Sequence, residues 1–281
     1  MTLNYAVPTP LAYFASLVQS DETFLLLEAA ASLAQHEHPG LDTQQVLGEM
    51  DRLGARLGRH VPAAAPALQR LQALNRFFYG ELGFGGNLNH YHDPENSNLQ
   101  AVLRTRRGIP ISLALLWMEL AQGLGLEVQG VAFPGHFLVK VLLPDGQALL
   151  DPFNGRSLTQ GELEERLEPF QPAGARQHPH KALSLAMCVQ PATPRDIVAR
   201  MLRNLKEVYR AQQDWQRLLA VQDRLVVLLP QAWAERRDRG LAHAECGHTA
   251  QAVADLETYL ARNSGSSDAG SIGQRLAALR G

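Results

Sequence analysis

The sequence predicts an α+β protein that is mainly helical. Apolar residues recur at helical spacing through the first hundred positions, and helical spacing returns after Thr193. Between these regions, apolar runs of strand length are separated by turn residues. The chain has 281 residues, which is the length of one large domain or of two small ones.

The N-terminal part is predicted to consist of helices that each bury one face. The clearest of them has apolar residues at steps of three and four, namely Val46, Met50, Leu53 and Leu57. Asp42 precedes this run and is predicted to cap the helix, with Gln45 as its reciprocal partner.

A long segment rich in glycine and asparagine follows, GFGGNLNHYHDPENSN at 83–98. It is too long for an ordinary connection, so we expect a loop that is functional or well packed. Tyr91, Asn96 and Ser97 are predicted to brace this loop by local hydrogen bonds. They are also the candidate binding residues, although a direct substrate role is the less favoured interpretation.

The middle of the chain is predicted to form a helix followed by an antiparallel sheet. Pro110 suits a first helical turn, and the helix is expected to continue to about Gly123. Residues 127–133, 136–143 and 147–150 are predicted strands. The breaks between them are Pro134-Gly135 and the turn sequence at 144–146.

The C-terminal part shows a repeat with a spacing of 34 residues. Tyr209 corresponds to His243 and Leu218 to Ala252, and each unit has the pattern of two helices. The spacing resembles that of tetratricopeptide repeats, although the match of residue types is imperfect. Two such repeats cannot form a stable core alone, so we expect them to pack on the rest of the chain.

Composition and charge exclude several classes of protein. Lys and Arg number 26 against 28 Asp and Glu, so no excess positive charge favours nucleic acid as a partner. No apolar run reaches the length of a membrane span, and the start MTLNYAVPTPLAYF lacks a secretory signal. Two cysteines, Cys188 and Cys246, are too few for a disulfide framework. Each is expected to pack as a small, buried apolar side chain. We therefore expect a cytoplasmic protein with no membrane partner.

Ser112, His136 and Asp151 are the candidate catalytic residues. Ser112 lies in the first turn of the predicted helix, where free backbone N–H groups favour an anionic nucleophile. Neighbouring antiparallel strands can place His136 beside Asp151, which would orient the imidazole as a base. Each residue also has a plainer interpretation, because serine is common in first helical turns, Asp-Pro often begins a turn and a single histidine is usually structural.

Other polar groups give weaker signals. His36-x-His38, His90-x-His92 and His178-x-His180 are pairs without a carboxylate or cysteine pattern that would complete a metal site, so no metal is predicted. Arg104, Arg106 and Arg107 are interpreted as a solvated basic edge rather than a phosphate site, because the glycine pattern of a P-loop is absent. No cofactor is predicted.

The segment from Gly83 to Gly155 resembles the SirB-type branch of the transglutaminase-like superfamily. The resemblance is carried by GFGGN at 83–87, YHDPENSNL at 91–99, RRGIPISLALLW at 106–117, GVAFPGHFLVKV at 130–141 and LLDPFNG at 149–155. The helical N-terminal part and the repeats also fit this architecture, so the resemblance covers nearly the whole chain. It implies a papain-like core in which a helix packs on an antiparallel sheet.

The resemblance also implies where a catalytic triad would lie. Active members of the superfamily carry Cys at the helix N-terminus, His on the first strand and Asp on the next; His136 and Asp151 match the last two positions. The Cys position falls on Ser112, or on Ile111 if the register shifts by one. A hydroxyl does not ionise as a thiol does, so a Cys-dependent transglutaminase or protease is not expected.

The sequence is compatible with two functions from different classes. The first is a degenerate pseudoenzyme that acts as a protein-interaction or regulatory module and binds a protein or peptide through its C-terminal repeats. The second is a serine hydrolase or acyl transferase that acts on an amide or ester through Ser112, His136 and Asp151.

The predicted domains are 1–190 for the helical part and core, 194–262 for the repeats and 263–281 for a flexible tail with a short helix.

Overall fold

The computed structural model describes residues 8–38, 40–172 and 182–281. Within these ranges the helices are α1 Pro10–Leu17, α2 Leu26–Ser32, α3 Thr43–Gly58, α4 Ala67–Asn75, α5 Leu99–Thr105, α6 Pro110–Gly123, α7 Gln160–Leu167, α8 Leu185–Cys188, α9 Pro194–Gln212, α10 Trp215–Leu228, α11 Trp233–Glu245, α12 Thr249–Arg262 and α13 Ala269–Arg280. The strands are β1 Gly85–Gly86, β2 Arg107–Gly108, β3 Glu127–Val131, β4 Leu138–Leu143, β5 Gly146–Asp151 and β6 Arg156–Leu158. The fold is therefore α+β and mainly helical, as predicted.

The chain divides into two compact units. One unit contains Leu26–Ala31 and Asp42–Ile197, and it holds both sheets. The other contains the described residues up to Leu25, together with Ser32–Leu41 and Val198–Gly281. The domain bounds expected from the sequence remain a prediction.

The main sheet of the first unit is an antiparallel meander in the order β3-β4-β5-β6. Val131 pairs with Leu138 across β3 and β4, and Val139 pairs with Leu150 across β4 and β5. The three predicted strands are all present, and β6 is an additional short strand that the sequence analysis did not predict. Asp151 is the last residue of β5, so this register brings it close to the start of β4.

Helix α6 is the central helix of the first unit. Every residue from Pro110 to Met118 is buried, because the helix is apolar on all sides and is surrounded by other elements. It contacts α3, β3 and β4. The N-terminus of α6 follows directly from β2, which pairs in parallel with β1 through Gly85–Arg107 and Gly86–Gly108. This pairing holds the start of the helix beside the segment 83–98.

The second unit contains the helices of the predicted repeats. Helix α11 packs closely on α12 because Gly240 has no side chain; a methyl group there would overlap Leu256. Helix α13 continues the stack and packs the buried residues Ile272 and Leu276 against α12. Among the described residues, no helix combines the length and the apolar character that a membrane span requires.

Several helix starts agree with the sequence and one differs in detail. Thr159 and Glu162 form a capping box at the start of α7. Asp42 caps α3 by accepting a hydrogen bond from the Gln44 N–H group. Gln45 is not its reciprocal partner, since the Gln45 Oε1 atom instead accepts a hydrogen bond of 3.3 Å from Gln100. The chain reversal between α3 and α5 makes that contact available, and no local pattern reveals it.

Candidate functional site

The candidate site of the first unit is built around the carboxylate of Asp151. One oxygen, Oδ1, lies 2.8 Å from Nε2 of His136 and accepts a hydrogen bond of 3.0 Å from the Phe153 N–H group. The other oxygen, Oδ2, accepts a hydrogen bond of 3.0 Å from Nη1 of Arg166. Both oxygens are therefore engaged, which is what a buried carboxylate requires.

Local backbone geometry explains why these groups meet. Asp151 ends β5, and the chain then turns so that the Gly155 N–H group bonds back to the Asp151 carbonyl at 2.8 Å. His136 follows Gly135, whose φ of +68° is a left-handed conformation that glycine adopts without strain. Arg166 comes from the last turn of α7. Three separate elements thus supply the polar groups of the site.

The surroundings hold Asp151 in its charged form. Burial raises the pKa of the carboxyl, but hydrogen bonding and charge attraction from His136, the Phe153 N–H group and Arg166 outweigh it, so the pKa lies below its ordinary value. The carboxylate is therefore ionised at neutral pH and can only accept hydrogen bonds. Nε2 of His136 must then carry a hydrogen.

The remaining nitrogen of His136 is the chemically available group of the site. When the ring is neutral and Nε2 is protonated, Nδ1 carries a lone pair and can accept a proton. The side chain of His136 is 23% exposed, whereas that of Asp151 is 5% exposed. Asp151 and His136 thus have the geometry of a carboxylate that orients an imidazole.

Ser112 is in a different position. Its Oγ atom lies 2.6 Å from the Asn96 carbonyl and 3.0 Å from the Ile109 carbonyl, and the residue has no exposed surface. The single hydroxyl hydrogen is therefore shared between backbone acceptors. Within the described residues, the structure brings His136 and Asp151 together but forms no hydrogen bond between Ser112 and His136.

Asn96 organises the loop at 83–98. Its Nδ2 atom donates to the carbonyls of His90 at 2.6 Å and Tyr91 at 3.1 Å, and its Oδ1 atom accepts from Asn87 at 2.9 Å. Because its carbonyl also accepts from Ser112, Asn96 joins the loop to the start of α6. The side-chain amide is buried, and both its nitrogen and its oxygen form hydrogen bonds within the loop. Its candidate role in binding remains a prediction.

Tyr91 and Ser97 are placed differently from each other. The ring of Tyr91 is 43% exposed and lies 6.3 Å, between centroids, from the ring of Phe153. Ser97 is buried in the short helical turn Pro94–Ser97. Of the three candidate binding residues, Tyr91 is therefore the exposed one, and its ring is open to a ligand.

Aromatic rings cover three glycines near the site. A methyl group at Gly86 would overlap the ring of Phe153, and one at Gly155 would overlap the ring of Tyr79. The same relation holds between Gly135 and the half-exposed ring of Phe170. These close approaches are possible only because glycine lacks a side chain, and they bring aromatic surface next to His136 and Asp151.

Tyr79 also contributes a polar contact beside the site. Its hydroxyl donates a hydrogen bond of 3.1 Å to the Pro152 carbonyl. Burial raises the pKa of this phenol, and the nearby charge of Asp151 raises it further. Tyr79 therefore stays protonated and acts as a hydrogen-bond donor that fixes the turn after β5.

Sequence reasoning did not identify Arg166, Phe153 or Tyr79 as part of the site. Arg166 lies 15 residues beyond its partner Asp151 in a separate helix, and no spacing rule connects the two. The capping box at Thr159 gives the start of that helix, but not the direction in which its last turn faces. Phe153 contributes a backbone N–H group, which any residue except proline would supply.

The other candidate groups lie apart from this network. His90 and His92 are exposed on the loop, and within the described ranges neither has two further ligand-type side chains near enough to form a metal site. Cys188 and Cys246 are half-buried, and burial raises the pKa of both thiols. His178 and His180 lie outside the described residues.

Comparison with known proteins agrees with this architecture. A family profile described as transglutaminase-like superfamily matches residues 44–203, and a tetratricopeptide repeat profile matches residues 205–277. These two matches define the class of protein: a transglutaminase-like domain followed by tetratricopeptide repeats.

Relatives extend the similarity over most of the chain. A UPF0162 protein of Xylella fastidiosa strain Temecula1 is 39% identical over 241 residues, which cover 85% of this chain and 84% of the relative. The UPF0162 protein PA3419 of Pseudomonas aeruginosa is 32% identical, and the alignment covers 90% of this chain and 90% of the relative. Protein SirB1 of Salmonella typhimurium is 28% identical, and the alignment covers 78% of this chain and 79% of SirB1. The chain belongs to the transglutaminase-like superfamily, in the branch that the UPF0162 and SirB1 proteins represent.

Proposed function

We propose that this chain is a non-hydrolytic interaction or regulatory module that works in the cytoplasm. In this proposal the repeats bind a protein or peptide, and the transglutaminase-like domain does not cleave or transfer acyl groups. The observation that carries the proposal is the state of Ser112, which has no exposed surface and whose hydroxyl is bonded to two backbone carbonyls.

A nucleophile needs a base within hydrogen-bond reach and access to its substrate. Ser112 has neither in the described residues, since its partners are the carbonyls of Asn96 and Ile109. A carbonyl oxygen cannot take up the proton as an imidazole can. The buried position also gives no path for an acyl carbon to approach Oγ. Both facts favour a structural role for this hydroxyl.

The repeats support the second half of the proposal. Tetratricopeptide repeats generally mediate protein–protein interaction, and the matching profile covers residues 205–277. The helices of this unit are held together by buried ion pairs: Nζ of Lys206 lies 2.7 Å from Glu235 and 2.5 Å from Asp238. Such pairs fix the relation between α9 and α11, so the surface that the repeats present is preformed.

A serine hydrolase or acyl transferase is the second candidate. One specific observation favours it, namely the 2.8 Å contact between His136 and Asp151, which has the form of a base and its orienting acid. This candidate requires the start of α6 to move so that the Ser112 hydroxyl leaves its carbonyl partners and reaches Nδ1 of His136.

Labelling with a fluorophosphonate probe separates the two candidates. The purified protein, Ser112→Ala and His136→Ala would be incubated with the probe, with an active serine hydrolase in the same tube as a positive control. We expect no labelling that depends on Ser112. Labelling of the wild type that disappears in both variants would establish the hydrolase and overturn the non-hydrolytic part of the proposal.

A second variant separates geometry from chemistry. In Ser112→Cys the oxygen is replaced by an intrinsically stronger nucleophile, and alkylation by iodoacetamide can be followed at each thiol by mass spectrometry. We expect this thiol to react more slowly than the native thiols of Cys188 and Cys246, because its position is closed to solvent. Faster reaction would show that the position is accessible.

The interaction role can be tested by site-specific photo-crosslinking in cells. A photoreactive amino acid would be placed at exposed repeat positions, Glu207, Arg217 and Arg275, and at exposed Arg59, directly after α3, as the control. We expect a discrete crosslinked protein from one or more repeat positions and none from Arg59. Crosslinks from Arg59 alone would contradict binding through the repeats.

A further inference from the structure

A cavity of about 300 Å³ lies between α3 and α5 in the unit that holds the sheets. Three arginines line it, Arg52, Arg104 and Arg106, together with Glu49. Its size is that of a small-molecule site, at the lower end of the usual range. The excess of positive groups indicates an anionic ligand.

One of the three arginines is already neutralised. Nε and Nη2 of Arg52 lie 3.0 Å and 2.8 Å from the same carboxylate oxygen of Glu49. Arg104 and Arg106 are different, because within the described part of the chain their side chains form no hydrogen bond and no ion pair. Two of the arginines that line the cavity therefore have no anionic partner in contact among the described residues.

Arg106 is held in an unusual state. Its Nη1 atom is buried and has no hydrogen-bond partner, and its guanidinium group lies 4.7 Å from the centre of the Phe84 ring. The residue ends α5 with φ 60° and ψ 20°, a left-handed conformation that glycine or asparagine adopts at lower cost. Retaining an arginine here costs backbone strain and leaves one buried donor unsatisfied.

The charge around Arg106 points the same way. Burial lowers its pKa, the carboxylate of Glu49 raises it and the like charge of Arg56 lowers it again. The expectation of a solvated basic edge is therefore wrong for Arg106, which is half-buried, whereas Arg104 and Arg107 are exposed. An anion beside Arg106 would offset the cost of desolvating its charge and the repulsion by Arg56.

We propose that this cavity binds a phosphate group, free or esterified to a small organic molecule, between Arg104 and Arg106. A phosphate monoester carries nearly two negative charges near neutral pH and three terminal oxygens, which match two guanidinium groups. A carboxylate has one charge and would satisfy only one of them. Gln45 and Gln100, whose mutual bond is long at 3.3 Å, also line the cavity and can donate through their amides.

The cavity also has room for an organic part of the ligand. Val46 and Leu103 supply apolar surface beside the arginines. This site is separate in its chemistry from the Asp151 network, since none of its residues contacts His136, Asp151 or Arg166 in the described structure.

Isothermal titration calorimetry of the full chain at low salt tests the proposal. Inorganic phosphate and phenyl phosphate are the probes, with acetate for comparison. We expect both phosphates to bind and acetate to bind at least about tenfold more weakly. Tighter binding of phenyl phosphate would support an esterified ligand, and tighter binding of inorganic phosphate would support the free anion.

Variants locate the binding site. Arg104→Ala and Arg106→Ala should each weaken phosphate binding by about tenfold or more, because each removes a charged donor. Arg59→Ala removes the same charge from an exposed position outside the cavity and should change binding less than about twofold. Equal weakening by all three variants would indicate general charge attraction and would overturn the site.

Two further measurements guard against loss of fold. Arg104 is exposed, so its variant is expected to keep the circular dichroism spectrum of the wild type. Arg106→Lys keeps the charge but loses the planar pair of donors, and should bind phosphate more weakly than the wild type and more tightly than Arg106→Ala. Absence of phosphate binding to the folded wild type, or unchanged binding in Arg104→Ala, would overturn the proposal.

Discussion

Asp151 and Ser112 are both polar residues with almost no exposed surface, yet their partners differ in kind. Asp151 contacts two side chains and a backbone N–H group, and both of those side chains reach solvent. Ser112 contacts only backbone carbonyls. The type of partner therefore separates a network that can exchange protons with solvent from a hydroxyl that joins two backbone segments. Residue identity alone does not make that distinction.

The largest expected effect is on the Asp151 side of this comparison. Asp151→Ala should lower the free energy of unfolding by about 2–3 kcal/mol, because it leaves Arg166, His136 and the Phe153 N–H group without their acceptor. The partial exposure of Arg166 and His136 keeps the loss below that of a fully buried ion pair. Urea denaturation at pH 7 measures this loss.

The matched control for this measurement is Asp145→Ala. Asp145 is exposed in the turn between β4 and β5, and its removal should change stability by no more than about 0.5 kcal/mol. If the two variants were equally stable, the Asp151 network would contribute nothing to the fold and the comparison would fail.

Ser112→Ala should have a smaller effect, a loss of about 1 kcal/mol. The variant removes one hydroxyl hydrogen bond and leaves the Asn96 carbonyl short of a donor. Ser157→Ala, at an exposed position in β6, provides the control in the same denaturation series. A stability loss for Ser112→Ala larger than that for Asp151→Ala would reverse the comparison.

The fold was more predictable than the site. Strands β3, β4 and β5 follow from apolar runs between Pro134-Gly135 and the turn at 144–146, and both signals are local. The direction in which the Ser112 side chain points could not be predicted. Helix α6 is apolar on every side, so its sequence does not indicate which face packs against which neighbour. The pairing of His136 with Asp151 follows from strand order. The contact with Arg166 depends on the path of the chain after β6, which no residue pattern fixes.

The pH dependence of stability gives a third, smaller test. Because the pKa of Asp151 is lowered in the folded protein, its carboxylate stabilises the fold above the ordinary value of 3.8, and this contribution is lost as the pH falls through the folded-state pKa. The difference in unfolding free energy between wild type and Asp151→Asn should therefore shrink as the pH falls below about 4. A difference that does not shrink below about pH 4 would contradict the assigned charge.

The smallest expected effect concerns Arg166. The side chain is 38% exposed, so its ion pair with Asp151 should contribute about 0.5–1 kcal/mol after solvent screening. A double-mutant cycle with Arg166→Gln and Asp151→Asn isolates this coupling from other effects of the two changes. A coupling energy of zero would mean that the charge of Asp151 is held by His136 and the Phe153 N–H group alone.

The glycines that face aromatic rings have a consequence for how sequences of this branch diverge. At Gly86, Gly135 and Gly155 any side chain would occupy space that Phe153, Phe170 or Tyr79 already fills. At Gly135 and Gly155 the positive φ also disfavours any other residue, so these two glycines are expected to persist among relatives. At Gly86 a larger residue is tolerated only when Phe153 is replaced by a smaller residue, so this pair is expected to vary jointly and would report a contact in relatives of low overall identity.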